Sequence, residues 1–398
     1  MIDFVSHTPV YFIGVSKVKG HAPRRDWVLL PLTGLIVLGL LAASSEFVSR
    51  RILTTNGKSG DDCLIRVASS TGPRGIPNCV CVEKILEAPL TEYRFNSNGF
   101  RNDKDFVPKA SGVFRIAMIG TSFAAGFRVP EKLTFATLLP AELSQRTGRT
   151  VELYNEGIPM RSAQMIANGF KKDVLATNPD LVLWIVCPSD LRRSDWLVRA
   201  NVVTGLNMWA KLRYYITSAS NKPSLAASAK ELFSHTATSW LLEVLLYRNS
   251  TLYVRSSLLN DANDMGYLKS LPQAQLLQNL HEFDLGAGEI EREAKTSGVP
   301  VVVVSIPDRT QSSMVSANSW PAGVDPYMLS NKLSSIVASH GWTYINTLSD
   351  YQSIPNPQLG YFVLDGHPNA KGHAMISRIL AKHLTAGAVP ALKATSLD

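Results

Sequence analysis

Three side chains offer this sequence a nucleophile, a base and a group to orient the base: the hydroxyl of Ser122, the imidazole of His367 and the carboxylate of Asp365. Ser122 stands in Gly120-Thr121-Ser122-Phe123, just past an apolar run that reads as a buried strand. A serine at a strand-to-helix junction has an exposed hydroxyl, and the nearby backbone N–H groups and helix dipole favour negative charge. Those are the needs of a nucleophile that forms a tetrahedral oxyanion. Asp365-Gly366-His367 lies just ahead of the last helical segment and supplies a base with its orienting carboxylate. Either fragment alone is an ordinary turn in most proteins, so the ordered set carries the reading, not its parts.

Such groups meet only if a scaffold brings them to one rim, and the hydropathy pattern predicts one. Arg115–Gly120, Val151–Asn155, Leu181–Cys187, Pro300–Ile306 and Trp342–Asn346 read as strands. Helical spacing falls at 132–148, 162–176, 284–297, 326–339 and 369–385. Continuous apolar strands alternating with helices predict an α/β fold with a mostly parallel sheet covered on both faces. In such sheets ligands bind beyond the carboxyl ends of the strands. The segments that follow the strands are therefore the candidate site: Asn155-Glu156-Gly157, where Gly157 lets its backbone N–H approach the serine; Pro188-Ser189-Asp190; and Pro307-Asp308-Arg309. Asp190, Asp308 and Arg309 are the residues expected to touch a polar substrate. His373 falls inside the last helix and is expected to be structural.

The rest of the chain sets the context. It has 398 residues, 45% hydrophobic and 18% charged, which excludes disorder as the main state. The net charge of +8 is scattered, with no run of five basic residues, so nucleic acid is not expected as a partner. Trp27 to Ser45 carries no charge, and Arg24, Arg25, Arg50 and Arg51 flank it. At about 1.5 Å per residue such a stretch just crosses a ~30 Å hydrocarbon layer, which predicts an anchor over 27–46, with a cleaved signal peptide as the alternative. The domain organisation expected is an N-terminal cytoplasmic tail at 1–26, the anchor, a Gly/Pro/Asn-rich stem at 47–110 packing on the main domain, that domain at 111–386 with a helical insertion at about 196–283, and a tail at 387–398. The larger part would then lie on the extracytoplasmic side of the cytoplasmic membrane. There Cys63 could bridge to Cys79 or Cys81, or all three stay reduced. No metal-ligand motif and no Gly-rich phosphate loop is present, so no cofactor and no metal is expected.

Taken in order, the blocks NSNGFRND (Asn96–Asp103), RIAMIGTSFAAGFRV (Arg115–Val129), YNEGIPMRSAQ (Tyr154–Gln164), CPSDL and DGHPNAKGH (Asp365–His373) resemble the SGNH (GDSL-type) hydrolase family. The resemblance implies a three-layer α/β/α sandwich and an esterase or deacylase acting on an acyl ester, on a glycan or lipid-like molecule, which the apolar segment at 27–46 would anchor to the membrane. It implies Ser122 as nucleophile, His367 as base and Asp365 as its orienter. The oxyanion donors would be the N–H groups of Ser122 and Gly157 and the side chain of Ser189. The sequence departs from the family pattern at Thr121, where an aspartate is usual, at Cys187, where a glycine is usual, and at Ser189, where an asparagine is usual. The carboxylate also stands two residues before the histidine, a spacing shared by some membrane-anchored and glycan-modifying relatives. An acyltransferase that modifies an exported polysaccharide and works with a multispanning partner would use the same triad, and a weakly catalytic glycan-binding relative would keep the same fold.

Overall fold

A computed structural model describes residues 26–52, 60–65, 69–85, 87–191, 236–260 and 264–394. The expected N-terminal tail and the first part of the expected insertion, with its Trp196, Trp209 and Arg213, lie outside the described residues. The chain divides into two units, one ending at Ile52 and one beginning at Leu53. In the first, α1 (Asp26–Ile52) is a single helix. Its segment Val28–Ser49 is 22 residues long with mean hydropathy 2.1, long and apolar enough to cross a membrane by length and composition. The helix runs on past residue 46, where the anchor was expected to end, because no helix breaker intervenes before Ile52.

The second unit opens with two short antiparallel pairs, β1 (Leu64–Ile65) with β2 (Arg74–Gly75) and β3 (Val80–Glu83) with β4 (Thr91–Arg94). There follow β5 (Phe114–Ile119), α2 (Phe135–Thr147), β6 (Val151–Asn155), α3 (Ala163–Asp173) and β7 (Leu181–Val186). Then come α4 (Ala237–Tyr247), α5 (Ser250–Asn260), α6 (Ala274–Ser297), β8 (Val301–Ser305), α7 (Arg309–Ala317), α8 (Met328–Ser339), β9 (Thr343–Asn346), α9 (Leu348–Ser353) and α10 (Ala370–His383). The five strands from β5 onward form one parallel sheet in the order β6-β5-β7-β8-β9.

Alternation along each strand builds the layers. Phe114, Ile116 and Met118 of β5 join Leu183, Ile185, Val302 and Val304 on one face, under Phe135, Leu139 and Leu143 of α2 and Ile376 and Leu380 of α10. Ala117 and Ile119 join Val182, Trp184, Val301 and Val303 on the other, under Phe170 of α3, Ile290 of α6 and Leu333 of α8. The result is a three-layer α/β/α sandwich with an all-parallel central sheet, buried on both faces as such sheets require.

Two boundaries differ from expectation. The helix expected at 284–297 begins at Ala274, because Leu276, Leu280 and Phe283 continue the buried stripe of Ala287, Ile290 and Ala294. Residues 274–283 thus belong to the sandwich and not to the insertion. At the other end, Val389 and Leu392 are buried in the first-face core, so the chain expected to trail off from 387 is part of the domain. A disulfide joins Cys63 to Cys79, while Cys81 is buried and takes no part in it.

Candidate active site

The serine is presented by a turn that only glycine can begin. Gly120 ends β5 at φ 149°, and a Cβ there would stand 2.7 Å from the carbonyl oxygen of Ile185. The turn can therefore lie against β7. The loop after β6 closes on the same turn: Glu156 N–H donates to Met118 O at 2.8 Å and Ile158 N–H to Gly120 O at 3.2 Å. A Cβ on Gly157 would come within 2.6 Å of Ala125 N and 2.7 Å of Ala124 Cβ, so its glycine is required by close approach.

His367 arrives on the loop before α10. Gly366, at φ 78°, folds Asp365 back onto its neighbour's ring, which is how a carboxylate only two positions away reaches the imidazole. His367 Nδ1 lies 2.7 Å from Asp365 Oδ1, and His367 Nε2 lies 2.8 Å from Ser122 Oγ. A carboxylate only accepts, so Nδ1 carries the proton and Nε2 is left to accept from the serine hydroxyl. Phe123 and Phe127 flank the ring, with centroids 5.6 and 5.3 Å away. The other carboxylate oxygen of Asp365 accepts from Arg128, a residue that sequence reasoning did not single out. Burial pushes the Asp365 carboxyl up. The hydrogen bond and charge of His367 and the charge of Arg128 outweigh it and hold the group below its ordinary value.

The structure thus brings together the three residues expected to form a triad, and it modifies the expected oxyanion site. Among the described residues the Ser122 N–H has no partner. The Gly157 N–H does not stand free as expected: it donates at 3.0 Å to Oδ1 of Asn155, whose Nδ2 donates in turn to Ala124 O. Ser189 is an exposed residue whose hydroxyl lies 3.0 Å from the thiol of Cys187.

The three residues expected to touch substrate are engaged within the protein. Asp190 accepts from the Thr121 hydroxyl and, at 2.9 Å, from the Cys187 N–H. It ties the β7 exit to the turn that bears Ser122, through the hydroxyl of Thr121. Burial pushes Asp190 up to about 6, against those two hydrogen bonds. Asp308 caps α7 by accepting from Gln311 N–H at 2.8 Å, and it also accepts from the Tyr267 hydroxyl. The Arg309 guanidinium donates to the carbonyls of Val363 and Tyr247 and lies 3.7 Å from the centre of the Tyr253 ring. It links α4 and α5 to the loop that carries Asp365.

His373 is structural in its contacts. It is buried, its Nδ1 accepts from Phe135 N–H at 3.1 Å, and its ring stacks on Phe135. Burial first, then the charges of Arg101 and His367, push it down to about 3. Its folded value is below the unfolded one, so the unfolded chain binds the extra proton. The stability tied to this group is complete above about pH 6.5 and declines as pH falls towards 3. The unfolding free energy of the wild type, measured against His373→Asn, is expected to drop by about 3 kcal/mol from pH 6.5 to 4. Urea titrations of both proteins across that range check this, and a constant difference would contradict it.

No family model matches the chain, and no curated protein matches it. Among solved structures it is similar to a putative lipolytic protein of the G-D-S-L family from Desulfitobacterium hafniense, at 12% identity and TM-score 0.32 over 67% of this chain and 98% of that one. An acetyl xylan esterase, AlAXEase, matches at 13% identity and TM-score 0.37 over 68% of this chain and 100% of that one. A catalytic mutant of Axe2, an acetylxylan esterase from Geobacillus stearothermophilus, matches at 10% identity and TM-score 0.38 over 70% of this chain and 96% of that one. With its five-stranded parallel sheet between two helical layers, the second unit of the chain is a three-layer α/β/α sandwich, the architecture its sequence blocks lead one to expect, and an apolar helix precedes it in the sequence.

Proposed function

We propose that this chain is a serine hydrolase that cleaves an acyl ester, held to a membrane by Val28–Ser49 with its catalytic domain on the extracytoplasmic side. The observation that carries the reading is the unbroken chain of contacts from Ser122 Oγ to His367 Nε2 at 2.8 Å and from His367 Nδ1 to Asp365 Oδ1 at 2.7 Å. In this reading Ser122 Oγ attacks the acyl carbonyl carbon as its proton passes to His367 Nε2. The oxyanion so formed faces the Ser122 N–H. Collapse breaks the ester bond, and the leaving alcohol takes the proton from His367. Water, deprotonated by the same imidazole, then attacks the acyl-enzyme and releases the acid and the free serine. Asp365 orients the ring throughout and stabilises its charged form. The Cys63–Cys79 disulfide supports an oxidising compartment and so the extracytoplasmic side. The substrate class proposed is an acyl ester on a glycan or a lipid-like molecule.

The test is labelling of the full chain in detergent with a fluorophosphonate probe, alongside hydrolysis of a short-chain aryl ester. The wild type is expected to be labelled and to hydrolyse the ester, and Ser122→Ala to do neither. Equal labelling of the two proteins, or none of either, overturns the proposal. Faster transfer to an added glycan than to water would make a sugar hydroxyl the acceptor and the enzyme an acyltransferase.

A further inference from the structure

Among the described residues the stem makes no contribution to the two apolar layers that hold the sandwich together: both clusters are built from residues 114 onward. Its own apolar contacts fall elsewhere. Cys63, Leu64, Cys81, Tyr93, Phe95 and Phe100 pack with Ile158 and against Phe127 and Met160, which belong to the loops around the serine. Ala88 packs with Val129 and Phe362, which lead out of the nucleophile turn and into the base loop.

Some polar contacts of the stem reach α3 and Asp180, as Arg74 does with Asp173 and Lys109 with Asp180, and others reach the same two places. Arg101 is buried, 3% exposed, with its guanidinium 4.3 Å from the centre of the Tyr93 ring. It donates to the carbonyls of Ala125 at 3.0 Å, Gly126, and Val129 at 2.6 Å. Tyr93 donates its hydroxyl proton to Glu83 at 2.8 Å and accepts from the Arg128 N–H at 2.8 Å. These bonds bracket Arg128, which sits at φ 66°, a backbone conformation that costs a non-glycine residue energy and persists only where its surroundings over-determine it. Held so, Arg128 reaches Asp365. On the opposite loop the two oxygens of Glu87 accept from the Leu364 N–H at 2.7 and 3.0 Å, one residue before the triad carboxylate.

We propose that the stem is a clasp on the triad, in which Arg101 holds the turn bearing Ser122 and Glu87 holds the loop bearing Asp365 and His367, both as positioning residues. This rests on the hydrolase reading above. Neither residue touches the reacting atoms; each fixes backbone whose side chains do. Displacement of a reacting group by about an ångström can cost on the order of 100-fold in rate, so the clasp should be visible in the rate.

The experiment measures, for the full chain in detergent, both the rate constant of fluorophosphonate labelling and the fraction finally labelled. For Glu87→Ala the rate constant is expected to fall roughly 10- to 100-fold with the labelled fraction at the wild-type value. Glu87→Gln keeps an oxygen to accept from Leu364 N–H and is expected to recover most of the rate. Arg101→Lys places one ammonium where a planar fork bonded several carbonyls, and is expected to slow labelling as Glu87→Ala does. A purely structural role would lower the labelled fraction and the thermal midpoint and leave the rate constant of the folded protein alone. That result for Glu87→Ala, or a wild-type rate constant in it, overturns the clasp. A wild type that is not labelled overturns the hydrolase reading instead, so the two failures are distinct.

Discussion

Asp365→Asn is expected to slow fluorophosphonate labelling of Ser122 by roughly 10³- to 10⁴-fold while leaving the fold intact. The size follows from what flanks the carboxylate. One oxygen accepts from His367 Nδ1 and the other from Arg128. An asparagine can satisfy only one of them as the carboxylate does. Arg128 has donors only, so the amide oxygen turns to it and the amide NH2 faces the imidazole. Nδ1 must then accept, the ring proton moves to Nε2, and the nitrogen that should take the proton of Ser122 already carries one. The same argument predicts a partial rescue. In the Asp365→Asn background, Arg128→Met removes the group that selects this orientation, the amide can turn, and part of the lost rate should return. Labelling kinetics of the two single variants and the double variant, with circular dichroism to confirm folding, check both statements. An Asp365→Asn protein labelled within a few-fold of wild type would mean that the carboxylate does not set the tautomer.

Much of this geometry was legible in the sequence where local pattern dictates it. Val151–Asn155 forms a strand over its expected range, and Leu181–Val186 and Val301–Ser305 are shorter than expected only at their ends. Continuous β-branched and apolar runs have few other stable states. Arg128 and Glu87 were not legible as partners of the base loop. Arg128 lies 237 positions from Asp365 and Glu87 lies 277 from Leu364, and no short-range rule connects residues so far apart. The helix Arg309–Ala317 was missed for another reason. Its buried face includes Thr310, Gln311, Ser312 and Ser313, so hydropathy gives it no apolar stripe. Asp308 and Arg309 then read as rim charges, when the first is a cap and the second a tie between loops. The block NSNGFRND carried a resemblance but no role, because part of its work is done on distant backbone, by Arg101 and Asn102, and part within its own turn. Asn102 donates to Asn155 O, and Asn96 accepts from its own turn at Asn98 and Phe100.

Ser189→Asn is expected to raise the hydrolytic rate, by up to about 10²- to 10³-fold, the usual worth of one oxyanion donor. The reason lies in how the β7 exit is held. Asp190 fastens it to the hydroxyl of Thr121, the residue before Ser122, so the turn from Pro188 to Leu191 is anchored next to the serine's turn, with residue 189 exposed. The serine there has a short arm, and its hydroxyl is taken up with the Cys187 thiol. Of the other two expected donors, Gly157 N–H is spent on Asn155, which leaves the Ser122 N–H open among the described residues. A developing oxyanion would therefore meet fewer fixed donors than the triad's quality would allow it to use. An asparagine at 189 has the same backbone support, a longer arm and an NH2 that the thiol does not need. The measurement is kcat and KM for a short-chain aryl ester. A donor that acts mainly on the transition state raises kcat with KM little changed. A lowered KM at constant kcat would mean that the amide binds ground-state ester only, and no change in either would place position 189 out of reach of the reacting carbonyl.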